Sequence, residues 1–197
     1  MWRHHANGRR AAWSTLAVLA ALLVVPLLVE RAVAGQDAAL ELLEPTTVFF
    51  LRHAEKGTDD ARDPELSERG TERAAALAEL LEHAGVTHLF ASEFRRTQAT
   101  LAPLAEALGL EVEIVSARSP DVQVAALRAL PAGSVAVVAG HSNTTPALVR
   151  ALGGEVGRLK ASRSGDVLGE DEYGRLFVVV LPPPERRVAV QTLELAY

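Results

Sequence analysis

Val48-Phe49-Phe50-Leu51-Arg52-His53 opens the readable part of the chain. Its first four residues are β-branched, aromatic or aliphatic with no polar break, the mark of a strand buried on both faces of a sheet. Working outward, Ser67–Ala84 reads as a helix, with Ser67 as its cap and Ala74, Leu77, Leu81 and Ala84 as one apolar stripe. Val86–Ala91 reads as a strand, and Phe94–Leu108 as a second helix ended by Gly109. Val112–Val115, Val122–Leu130, Ser134–Ala139 and Thr145–Leu152 continue as strand, helix, strand and helix. Such alternation predicts an α/β fold, a three-layer sandwich around a mostly parallel central sheet. Gly153–Gly174 is polar and reads as a long loop over one edge, and Leu176–Leu181 and Val188–Leu193 flank Pro182-Pro183-Pro184 as a final edge pair.

The 197 residues, 49% hydrophobic and 23% charged, suit one domain. There is no cysteine, which excludes a disulfide scaffold, thiolate metal ligands and a cysteine nucleophile. A formal net charge of −5 gives no general footprint for nucleic acid. Residues 1–34 stand apart: Arg3, Arg9 and Arg10 lead into the uncharged stretch 11–29, and Ala32-Val33-Ala34 follows. A basic start, an apolar run and an A-x-A site are the parts of a signal peptide. A stretch of that length also suits an uncleaved, membrane-anchoring helix. Either places the rest of the chain outside the cytoplasm, periplasmic or secreted, or anchored to the membrane through residues 11–29. Residues 35–45 then read as a linker and 46–197 as the working domain. Without residues 1–34 the chain keeps 16 basic and 24 acidic residues, a net charge of −8.

In sheets of this kind ligands bind beyond the carboxyl ends of the strands. The first strand ends in Arg52-His53, the second runs into Ser92-Glu93-Phe94-Arg95-Arg96, and Ser134–Ala139 runs into Gly140-His141. Two guanidiniums and two imidazoles gathered at one sheet edge describe a phosphate pocket, since arginine forks match phosphate oxygens and an imidazole can attack phosphorus.

These residues resemble the histidine phosphatase superfamily, the phosphoglycerate mutase-like enzymes. Leu51-Arg52-His53-Ala54-Glu55 is similar to its Arg-His signature, Leu66-Ser67-Glu68-Arg69-Gly70 to its L-S/T-x-x-G helix start, Ser92-Glu93-Phe94-Arg95-Arg96 through Thr100 to its S-x-L/F-x-R…T segment, and Gly140-His141 to its second histidine. The likeness spans Thr46 to Leu152 and points to the short phosphatase branch. It implies a metal-independent hydrolase, with no cofactor, that cleaves a phosphate ester or phosphoramidate through a phosphohistidine intermediate. His53 would be the nucleophile, and Arg52, Arg96 and His141 would hold the phosphoryl oxygens. The implied partner is a phosphorylated small molecule or phosphoprotein.

The sequence also departs from that pattern. Ser142 stands where the acid-phosphatase branch has Asp, and Glu111–Val115 offers no secure match to the mutase glutamate. Glu55 is the leading general acid, with Asp59, Asp60 and Asp63 in reserve. Alternatives are a phosphomutase and a non-catalytic phospho-ligand-binding domain at the membrane. Gly140-His141-Ser142-Asn143-Thr144 approaches a serine nucleophile elbow, but no histidine follows Ser142 to complete the triad. His83 and His88 lack a third zinc ligand.

Overall fold

The computed structural model describes residues 44–163, 165–183 and 188–197. Its strands are β1 (Thr46–Arg52), β2 (His88–Ala91), β3 (Val112–Ile114), β4 (Val135–Gly140), β5 (Lys160–Ser162), β6 (Gly165–Val167), β7 (Arg175–Leu181) and β8 (Gln191–Ala196). Its helices are α1 (Glu68–Leu81), α2 (Arg95–Leu108), α3 (Pro120–Arg128) and α4 (Thr144–Ala151). Ser67 caps α1 by accepting a hydrogen bond from the Gly70 N–H, and Gly109 ends α2 in the left-handed conformation at φ 64°.

Six strands form the central sheet in the order β3-β2-β4-β1-β7-β8. The period of two along each strand sorts its side chains onto two cores. Phe50, Ala136, Val138 and Phe177 face Leu127 of α3 and Leu148, Val149 and Leu152 at α4. Leu51, Val137, Ala139 and Leu176 face Leu77 and Leu81 of α1 and Leu101 and Leu104 of α2. Helices on both faces give the α/β sandwich.

The sheet is mixed, with parallel pairings in the majority. β3, β2, β4 and β1 run parallel, whereas β7 is antiparallel to β1 and to β8. The final pair lies together at one end of the sheet, β7 joining it to β1 and β8 forming the edge. Its proline turn falls partly outside the described residues. One correction concerns 153–174, which is not a plain loop but contains the β5–β6 hairpin.

The expected signal peptide or membrane anchor over residues 1–34, and the extracytoplasmic placement that rests on it, lie outside the described residues, as does most of the 35–45 linker. Among the described residues no helix is long and apolar enough to cross a membrane.

Candidate active site

The parallel register aligns Arg52 of β1 with Gly140 of β4, so the two strands end level. The His53 N–H donates to the Gly140 carbonyl at 2.9 Å and carries the ladder one residue further. Beyond it, each chain is pinned by a helix. The His141 N–H donates to Thr144 Oγ1 at 2.8 Å, and the Thr145 hydroxyl donates back to the Leu51 carbonyl at 3.0 Å. The Ala54 N–H donates to Thr100 Oγ1 at 2.9 Å, whose hydroxyl donates to the Arg96 carbonyl at 2.7 Å. The next residue meets α1: the Ser67 N–H donates to the Glu55 carbonyl at 2.9 Å, and a Cβ at Gly70 would lie 2.1 Å from that same oxygen. The Leu-Ser-x-x-Gly segment thus lets a helix lie directly on the backbone that carries His53.

His53 and His141 are both buried, with ring centroids 5.4 Å apart at an interplanar angle of 67°. His53 Nδ1 lies 2.8 Å from the Ala54 carbonyl oxygen. A carbonyl only accepts, so Nδ1 carries the proton and Nε2 keeps its lone pair. Burial, reinforced by His141, Arg52 and Arg96, pushes the His53 pKa down to about 3 despite the bond to Ala54. His141 is pushed down to about 4, chiefly by burial and then by Arg96. Its Nε2 meets Ser92 Oγ at 2.9 Å, and Ser92 in turn meets Thr97 Oγ1 at 2.8 Å.

Arg52 is buried beside the histidines. Its Nη1 donates to the carbonyls of Gly169 and Glu170 at 2.9 and 2.8 Å, and Tyr173 stacks on it with the guanidinium carbon 4.1 Å from the ring centroid. Arg96 stacks on Phe94 at 4.4 Å. Of the four buried side-chain polar atoms without a partner among the described residues, two are Nε of Arg52 and Nε of Arg96. Buried donors of this kind are costly unless a ligand meets them. Arg95 turns elsewhere: it holds Asp59, Asp63 and Glu65, fixing the 59–65 loop to the start of α2.

Glu55 does not sit where a general acid must. Both its oxygens are taken by Arg73, at 2.8 Å from Nε and 2.8 Å from Nη2, and Arg69 adds a second cation at 3.2 Å. Burial works against its charge, but the Arg73 bonds outweigh it and hold the carboxyl below its ordinary range. An ionised carboxylate clamped by arginine has no proton to give, which corrects the acid role read from its proximity to His53. The reserves are also engaged: Asp60 caps the Arg62 and Asp63 N–H groups, and Asp59 and Asp63 hold Arg95.

A cavity of ≈ 420 Å³ opens over these groups, bordered by Arg52, His53, Arg96 and His141 together with Lys56, Arg62 and Arg118. No carboxylate borders it among the described residues. Sequence reasoning missed Tyr173 and the 169–170 carbonyls, which reach Arg52 from more than a hundred residues away. No cluster of three metal-ligating side chains occurs among the described residues. His83 instead lies near Glu82, and His88 meets Thr87.

No curated protein matches the sequence. Solved structures share the fold at low identity. The protein histidine phosphatase SixA complexed with tungstate superposes with a TM-score of 0.59 at 21% identity, over 76% of this chain and 96% of that one. A structure titled mycobacterial hydrolase 1 gives 0.58 at 17%, over 76% and 97%. A mycobacterial glucosyl-3-phosphoglycerate phosphatase with VO3 gives 0.54 at 17%, over 77% and 98%. The family model of the histidine phosphatase superfamily (branch 1) matches residues 48–119, the stretch holding Arg52, His53, Glu55 and Arg96. Over residues 48–119 the chain is thus similar to the histidine phosphatase superfamily, branch 1, and its fold is the one these solved structures share.

Proposed function

We propose that the cavity hydrolyses a phosphorylated substrate, a phosphate ester or a phosphoramidate, through a covalent phosphate on His53. The observation that carries this reading is the His53 tautomer: with its proton on Nδ1 donated to the Ala54 carbonyl, Nε2 holds a free lone pair beside two buried guanidinium N–H groups that lack partners. Nε2 attacks phosphorus as the bond to the leaving group breaks and that group takes the electron pair. Water then attacks the phosphorus of the N–P bond, releasing orthophosphate and restoring the imidazole. Arg52, Arg96 and His141 hold the three equatorial oxygens, and the fixed charges of the two guanidiniums stabilise the transition state without reorganisation. Metal ions have no step in this scheme. The anionic ligands in the related structures, tungstate and VO3, accord with such a site in those proteins.

The test is steady-state hydrolysis of an aryl phosphate in the presence of EDTA. His53→Ala is expected to abolish turnover, and Arg96→Ala to lower kcat/KM by roughly 10²–10³-fold, the scale for removing one transition-state donor. Arg95→Ala, whose contacts are with the 59–65 loop, is expected to cost far less. Full turnover by His53→Ala would overturn the reading.

A further inference from the structure

Three cations on the cavity have no part in that reaction. Lys56, Arg62 and Arg118 border it, and none forms an ion pair among the described residues. Six arginines elsewhere, Arg69, Arg73, Arg95, Arg150, Arg158 and Arg175, each reach a carboxylate, while Arg128 donates to the Ala151 carbonyl. In a chain whose net charge without residues 1–34 is −8, three unpaired cations at one cavity are an uneven use of positive charge. Their backbones are nonetheless held. Lys56 bridges to Leu66. The Arg62 N–H donates to Asp60 Oδ1 at 2.7 Å. The loop of Arg118 is tied by Glu93, which accepts from the Ala117 N–H at 2.8 Å.

A second feature belongs to the same cavity: among the described residues no carboxyl group stands ready to protonate a leaving group. Glu55 is clamped by Arg73, Glu93 is bound to Ser116 and Ala117, and Asp63 holds Arg95 and lies 3.5 Å from Arg96. A departing alkoxide needs a proton, whereas a departing phosphate leaves as a stable anion. Fixed cations beside it stabilise the charge as it develops.

Resting on the phosphohistidine reading above, we propose that the substrate is a phosphoanhydride, whose leaving phosphate is received by Lys56, Arg62 and Arg118. The bond from His53 Nε2 to the terminal phosphorus forms as that phosphorus loses its bridging oxygen. The bridging oxygen keeps the electron pair and departs as part of a phosphate. Water then cleaves the N–P bond, so one anhydride and one water yield two phosphate groups and release their protons to solvent. An imidazole leaving group, as from a phosphohistidine, would place no anion against the three cations.

The full chain, assayed in EDTA so that no divalent ion masks the anhydride charge, is compared on four probes: inorganic pyrophosphate, ADP, glycerol 2-phosphate and p-nitrophenyl phosphate. At least one anhydride is expected to exceed glycerol 2-phosphate in kcat/KM by roughly 100-fold, within the range for acid–base assistance that an ester would need. The combined variant K56Q/R62Q/R118Q is expected to lower kcat/KM on that anhydride roughly 30-fold more than on p-nitrophenyl phosphate, the product of three modest exposed charge contacts. Equal rates on anhydrides and glycerol 2-phosphate, or equal losses on both probe types in the variant, overturn the anhydride proposal while leaving the phosphohistidine reading intact. Failure to turn over p-nitrophenyl phosphate, with no phosphate on His53, sinks both.

Discussion

Acidification from pH 7 to pH 5 is expected to remove about 4 kcal/mol of folding stability, through the two cavity histidines alone. Each is buried and neutral in the fold, with pKa values of about 3 for His53 and about 4 for His141, against about 6.5 in the unfolded chain. A depressed histidine pKa contributes stability that is complete above the unfolded value and is lost as pH falls toward the folded one. At pH 5 the unfolded chain has bound nearly one proton at each site and the native chain almost none, so each imidazole accounts for about 2 kcal/mol. The assay is urea denaturation followed by far-UV circular dichroism, which reads the loss of the helices and strands. His53→Asn and His141→Asn should each remove about half of the pH dependence. A loss below about 1 kcal/mol in the native sequence, or an unaltered slope in His53→Asn, would refute the claim that burial and neighbouring charge hold these rings neutral.

Two further outcomes follow from the frame around the histidines. Glu55→Gln should retain most of its turnover on an activated aryl phosphate and keep the shape of its pH–rate profile. The same change should weaken the fold by about 1–3 kcal/mol, because Arg73 loses a charged partner; turnover slowed roughly a hundredfold or more would restore Glu55 as the acid. Gly70→Ala brings a Cβ to 2.1 Å from the Glu55 carbonyl oxygen, so α1 must shift. Denaturation should show a loss of about 1–3 kcal/mol or more, and turnover should fall with it as the backbone at His53 moves; unchanged stability would mean that α1 and the Glu55 backbone are not in contact.

What could be read from sequence was set by how local the determining contacts are. β1 and β4 were legible because a strand buried on both faces needs uninterrupted apolar residues, which Val48–Leu51 and Val135–Ala139 supply. α1 was legible because Ser67 caps it and its buried residues recur at helical spacing. Glu55 was misread because closeness in sequence does not fix where a side chain points, and Arg73, its partner, lies 18 positions downstream. The clamp on Arg52 was invisible for the same reason: Gly169, Glu170 and Tyr173 follow a polar stretch with no periodicity and reach the site only after the β5–β6 hairpin.

The central claim is that His53 becomes covalently phosphorylated, and one measurement tests it directly. The full chain is mixed with an aryl phosphate labelled in its phosphoryl group, denatured within the first turnovers, and mapped by peptide. The account predicts phosphate that is labile in acid and stable in alkali, confined to the peptide containing His53 and absent from His53→Ala. Turnover without a labelled protein, or label on any other residue, would contradict it.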